Sequence, residues 1–246
     1  MDIFWFERNA GDIENLQDKS IELESNGFSG TMYPYGISSN DFFTQIPSIA
    51  KEDSKFKYIV AIRPYVISPQ YLSMICNSLN KKYPNRVILN LLTGWIDKHE
   101  SSFGGILSYP NDESDHIHRS NYMIDYAKVF KNLKTTTPKF YISTTNGPIF
   151  RECKSNNFPM IIPYDWYKTE MFDLKNANYI ISVCPVFNKN KLDTMNNHFF
   201  TKETFLIFLK ECKEKKINGI LIYEDSSNPQ YEPISEIVKF FRNSGI

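Results

Sequence analysis

The chain has 246 residues, 41% of them hydrophobic and 15% aromatic, enough apolar material for one large domain with a substantial core. Lys plus Arg and Asp plus Glu both number 28, so the formal net charge is zero, which excludes the electrostatic footprint of a nucleic-acid or membrane-surface binder. No apolar run approaches the roughly 18 residues that cross a bilayer.

Ile3 to Phe6 reads as a first strand, followed by a helix that starts at Gly11-Asp12 and stops near Asn26-Gly27. Gly30 to Tyr35 is a second strand, and Ser39-Asn40-Asp41 then caps a helix through about Ala50. Tyr58 to Ile62 is a third strand, ended by Arg63-Pro64. Ser68-Pro69 opens the next helix, because proline is favoured in a first turn, and that helix runs to Lys82. Val87 to Leu92 is the fourth strand. A helix over 114–133 follows a long irregular stretch, and Phe140 to Ser143 is a fifth strand with a short helix at 150–154 behind it. Met160 to Ile162, Tyr179 to Val183 and Gly219 to Tyr223 complete eight strands, with helices predicted at 167–174, 202–215 and 234–243. Strands alternating with helices, without a break in composition, imply a parallel sheet, and eight is the number that closes a barrel. No Gly-x-Gly-x-x-Gly follows the first strand, so a dinucleotide-binding open sheet loses its main support. The expectation is a single (β/α)8 TIM barrel over residues 1–246 with minimal insertions.

The run from Val87 to Leu92 is apolar on both faces except at Asn90, as suits a parallel strand covered on both sides. Thr93-Gly94 ends it with a hydroxyl and a flexible backbone, at the carboxyl end of a strand, where α/β folds bind ligands. On pattern alone, Asn90 reads first as a hydrogen-bonded core residue and Thr93-Gly94 as an ordinary strand-to-helix turn. The four cysteines (Cys76, Cys153, Cys184 and Cys212) form no Cys-x-x-Cys pair, which favours reduced thiols in a cytoplasm over a disulfide framework or zinc site. The amino terminus lacks the basic flank and cleavage site of a signal peptide. His116-x-His118 beside Asp112, Glu113 and Asp115 is a polar cluster of the kind that is usually solvated, so no metal is assigned. No Gly-x-Ser-x-Gly or Cys–His arrangement for nucleophilic catalysis occurs.

Several segments, in order, resemble the bacterial luciferase-like flavin-dependent monooxygenases, in particular the branch with alkanesulfonate and pyrimidine monooxygenases. They are Gly27-Phe28-Ser29-Gly30 into Tyr33-Pro34-Tyr35-Gly36; Val60-Ala61-Ile62-Arg63-Pro64; Asn85-Arg86 into Leu89-Asn90-Leu91-Leu92-Thr93-Gly94-Trp95; Arg119 with Asp125-Tyr126; and the stretch from Pro138 to Asn146. The likeness is dense over residues 27–150 and thin afterwards. It implies reduced FMN (FMNH2), supplied by a separate flavin reductase, across the barrel mouth, with the deazaflavin F420 as the less favoured cofactor. Carried over by position, Pro34 and Tyr35 border the ring, Asn90 bonds its polar edge, and Thr93 and Gly94 shape the wall. Arg119 reaches the phosphate, and Thr144 and Thr145 take the place of a serine pair that binds it. Hydroxyls and free amides at a helix start suit a phosphate dianion on their own chemistry, and an arginine adds a charge-assisted grip.

The departures are as definite. Ser39 stands where the sulfonate branch has a cysteine, and Val183 and Pro185 stand where it has an arginine and a histidine near the substrate. No general acid or base is assigned; Tyr35, His99 and Asp165 are the catalytic candidates. The short loops suggest a small-molecule or carrier-tethered substrate, and relatives of this kind are commonly homodimers. Three readings stay open: a flavin-dependent monooxygenase, a flavin-binding but catalytically silent member, and an interaction protein on the same barrel.

Overall fold

The structure is a computed structural model that describes residues 1–7, 13–35, 41–93, 113–133, 139–144, 147–168, 178–187, 197–224 and 230–245, the side chains of 13–14, 113–116 and 197 excepted. Among the described residues there are nine parallel strands: β1 (Asp2–Phe6), β2 (Gly30–Tyr33), β3 (Lys57–Ile62), β4 (Val87–Leu91), β5 (Lys139–Ser143), β6 (Met160–Pro163), β7 (Tyr179–Val186), β8 (Asn197–Phe199) and β9 (Gly219–Ile222). Eight of them close into a barrel in the order β1 to β7 and then β9, because β6 pairs with β7 and β9 pairs with both β7 and β1. This is a (β/α)8 TIM barrel. The ninth strand, β8, is an addition outside the ring and pairs with the carboxyl end of β7 through Cys184, Pro185 and Val186. Three residues with a polar start are too few for a period-2 pattern, so the sequence reading missed it.

Helices α1 (Ile13–Ser25), α2 (Phe42–Ile49), α3 (Pro69–Lys82), α4 (Glu113–Asn132), α5 (Gly147–Ser155), α6 (Tyr164–Lys168), α7 (Lys202–Glu214) and α8 (Tyr231–Asn243) surround the ring, with a 3₁₀ turn at Pro64–Val66. Local chemistry sets their starts. Asp41 accepts from the Phe43 N–H ahead of α2, Ser68 accepts from Tyr71 with Pro69 in the first turn of α3, and Thr201 and Thr204 form a reciprocal capping box on α7. The helix predicted at 167–174 instead begins at Tyr164, directly after β6, and residues 169–177 lie outside the described ones. α5 and α8 each start three residues before their predicted first residue.

Strand alternation divides the core in two. Outward residues such as Tyr58, Leu89, Ile142 and Ile181 join the helices in one large apolar cluster. Inward residues form a second, separate cluster: Phe4, Met32, Ile59, Ala61, Ile88, Tyr141, Ile161, Ile180 and Leu221. The registers stack the inward side chains in layers of four from alternate strands, the packing that fills such barrels. Phe4, Ile59, Tyr141 and Ile180 make the first layer. Met32, Asn90, Ile161 and Leu221 make the second, and Phe6, Ala61, Ser143 and Ser182 the third, nearest the carboxyl end.

The amino end is closed by polar groups that satisfy one another. Lys57 pairs with Asp2 at 2.6 Å. Asn218 donates to the Tyr141 hydroxyl at 3.2 Å and to Asn178 at 3.0 Å. The Arg242 guanidinium ties α8 to the chain start through the carbonyls of Gly27 and Met1 and the Ser29 hydroxyl. Arg86 donates to the carbonyls of Phe56 and Lys51, bracing the end of α2 against the start of β3. Gly30 is required here, because a Cβ would collide with the Lys57 carbonyl. Among the described residues no helix is long and apolar enough to cross a membrane.

Candidate functional site

Moving up the lumen from the amino end, the lining changes from large apolar rings to hydroxyls. Asn90 is the one polar member of the second layer and is fully enclosed. Its Oδ1 accepts from the Ser143 hydroxyl at 2.7 Å, and its amide nitrogen faces the Met32 thioether at 3.9 Å. Ser143 stands one layer higher and is half-buried, as is Ser182, whose hydroxyl donates to the Ile162 carbonyl. Ala61, Ser143 and Ser182 make three of the four third-layer positions small, and Phe6 is the one large ring at that level.

Above them stand the half-buried Pro34, Tyr35 and Leu92, with Tyr35 and Leu92 packed against the inner cluster. Arg63, just past β3, lies 4.9 Å from the centre of the Tyr35 ring. Burial raises the Tyr35 hydroxyl above its ordinary value, and Arg63 opposes that rise. The 3₁₀ turn after Arg63 packs against α4 and places Tyr65 so that its hydroxyl donates to the Thr93 carbonyl at 3.3 Å. Burial raises Tyr65 as well, while the guanidiniums of both Arg63 and Arg119 pull it back. Arg119 is only 1% exposed, the largest of the fully buried side chains. Both guanidiniums thus act electrostatically on one phenol past the carboxyl end of β3. Thr144 is buried between β5 and α5, its N–H donating to the Ile161 carbonyl.

Of the residues singled out in the sequence, Pro34, Tyr35, Asn90, Thr93, Arg119 and Thr144 all lie at this end of the barrel. Gly94, His99 and Thr145 lie outside the described residues. Asp165 follows β6 at the same end but turns away from the lumen, 3.5 Å from His198. His198 shares a face of β8 with Phe200 of the outer cluster and contacts the Tyr164 ring, so this pair belongs to the helix side. Val183 likewise points into the outer cluster. Past Ile180 the lumen-side positions of β7 are Ser182 and Cys184, so Val183 is not placed to line the mouth. Arg63, Tyr65 and Ser143 were not picked out from the sequence. Arg63 read as a strand terminator, and Ser143 is revealed only by counting alternate residues from Tyr141.

Among the described residues this end of the barrel carries the half-buried Pro34, Tyr35 and Leu92, the Ser143 hydroxyl below them, the buried Arg63 and Arg119, and the buried Thr144 ahead of α5. No family model matches the chain by sequence. Its fold is similar to that of EDTA monooxygenase from Chelativorans sp. BNC1, with TM-score 0.71 and 10% identity, over 100% of this chain and 94% of that one. It is similar to the FMN complex of the oxygenating constituent of 3,6-diketocamphane monooxygenase from the CAM plasmid of Pseudomonas putida, with TM-score 0.61 and 10% identity, over 97% and 96%. An F420-dependent secondary alcohol dehydrogenase with an F420-acetone adduct matches at TM-score 0.65 and 13% identity, over 98% and 97%. At such identities the likeness is one of fold: this chain shares the barrel found in flavin- and F420-dependent monooxygenases and oxidoreductases.

Proposed function

We propose that this chain is a luciferase-like oxidoreductase whose carboxyl-end cup holds a flavin-type cofactor, reduced FMN being preferred over F420. The observation that carries the reading is the burial of Arg63, Thr93, Arg119 and Thr144 around the carboxyl end of the barrel, with Arg63 against the Tyr35 ring and Tyr65 bonded to the Thr93 carbonyl. Two buried guanidiniums and a helix amino terminus suit a phosphate. Tyr35 and Leu92 supply the flat apolar border that a ring system needs, so the donor set fits a phosphorylated planar cofactor.

A bound reduced flavin supplies electrons for the activation of dioxygen, chemistry that belongs to the cofactor. The chain's own part is to grip the phosphate with Arg119 and Thr144, to seat the ring against Pro34, Tyr35 and Thr93, and to keep it over the closed apolar layers below. Gly94 and Thr145 complete that set by resemblance. The activity proposed is monooxygenation of a small-molecule or carrier-tethered organic substrate, with a flavin reductase as partner. The four cysteines are all buried and in no disulfide, which fits the cytoplasmic location proposed here.

Equilibrium titration tests this reading. FMN, oxidised or reduced with dithionite, binds and quenches, and riboflavin binds more weakly for want of the phosphate. Arg119→Gln removes about tenfold of the preference for FMN, the scale of one charge-assisted hydrogen bond. Binding of neither FMN nor F420 rejects it. The silent-member reading is separated by oxygen uptake: a chain that binds reduced FMN yet shows no substrate-dependent turnover across candidate substrates has the site without the reaction.

A further inference from the structure

The floor of the cup carries a finer instruction, which rests on the flavin-type reading above. Asn90 sits in the second layer with no exposed surface, whereas Ser143 sits above it and is half-buried. A ligand descending into the cup therefore meets Ser143 before Asn90. The Ser143 hydroxyl has one hydrogen and two lone pairs. Its hydrogen is committed to Asn90 Oδ1 at 2.7 Å. The amide cannot profitably turn over, because its nitrogen faces the Met32 sulfur, a weak acceptor that the oxygen would meet with no hydrogen between them.

We infer that Ser143 is a ligand-binding residue and Asn90 the residue that orients it, so that the floor presents a hydrogen-bond acceptor to the mouth. The complementary group is an N–H on the edge of a planar heterocycle. On a flavin or deazaflavin that group is the imide N–H at ring position 3. Asn90, sealed below, acts on the ring through Ser143 and not by direct contact. The flanking third-layer residues allow this approach: Ala61 is small, and the Ser182 hydroxyl is turned to the Ile162 carbonyl, which leaves Ser143 as the hydroxyl oriented from within the lumen.

The test uses FMN and FMN methylated at N3, titrated against the full chain and three variants. The wild type prefers FMN by about tenfold, the scale of one buried hydrogen bond. Ser143→Ala brings the ratio close to one, and Ser143→Thr, which keeps the hydroxyl, retains it. Asn90→Leu leaves the serine and its bulk in place but frees the hydroxyl to rotate, so the ratio falls there too. If Asn90→Leu keeps the wild-type ratio, the methyl group is excluded by bulk alone and the inference fails. Equal wild-type affinity for the two flavins overturns this inference and leaves the proposed function standing. Binding of neither overturns both.

Discussion

The two ends of the barrel spend their polar groups differently. At the amino end Arg86 and Arg242 donate mainly to backbone carbonyls, Lys57 meets Asp2, and Asn218 meets Tyr141 and Asn178. These contacts tie neighbouring segments together and close the lumen below Phe4 and its layer. At the carboxyl end Arg63 and Arg119 both act on the Tyr65 hydroxyl, and the Ser143 hydroxyl donates to Asn90. Those groups gather at the end of the barrel where the proposed cofactor sits. The contrast teaches that a buried arginine is not informative by type: the same guanidinium is a brace at one pole and a candidate grip at the other, according to what surrounds it.

The sharpest way to break the comparison is from below. Phe4→Ala empties the first layer and is expected to cost about 3–5 kcal/mol in denaturant unfolding, with FMN affinity of the remaining folded protein unchanged. Arg86→Met, which strands the carbonyls of Phe56 and Lys51, is expected to cost about 2–3 kcal/mol, again without moving affinity. A loss of binding from either variant, measured on folded material, would erase the division of labour. From above, Thr144→Ala is expected to weaken FMN several-fold relative to riboflavin, while unfolding shifts by less than about 1.5 kcal/mol. Lys57→Met removes an ion pair whose side chains are about a third exposed and is expected to cost only about 0.5 kcal/mol.

The smallest effect concerns pH. Burial lowers His198 below the ordinary histidine value, with Asp165 opposing it. The unfolded chain then binds the proton more tightly than the folded one, so stability is full above pH about 6.5 and declines as pH falls below it. Thermal midpoints between pH 8 and 5 should fall more steeply in the wild type than in His198→Gln. Equal slopes would show that the pair carries no such linkage.

The barrel was legible because its strands are short apolar runs bounded by turn residues and separated by helical segments, as strands covered on both faces require. β8 was not, since Asn197-His198-Phe199 has neither the length nor the apolar content to stand out. The string Asn85 to Trp95, read as one signal, splits in the structure. Arg86 works at the amino end, and Asn90 and Thr93 face the other, because a strand carries its two termini to opposite poles. Ser143 and Arg63 were hidden for a different reason. Their meaning depends on which neighbour lies across the lumen, and that is fixed by register between strands distant in the chain. Asp165 illustrates the converse: an acidic residue after a strand looked promising, yet its side chain is taken up by His198 on the helix side.

The stagger of the inner side chains has a consequence for altering the cup. Asn90 shares its level with Met32, Ile161 and Leu221, which come from β2, β6 and β9 and not from the strands hydrogen-bonded to β4. Packing compensation for a change in bulk at Asn90 should therefore be sought on β2 and β6, two strands away in either direction, whereas its hydrogen-bond partner Ser143 lies on the adjacent β5.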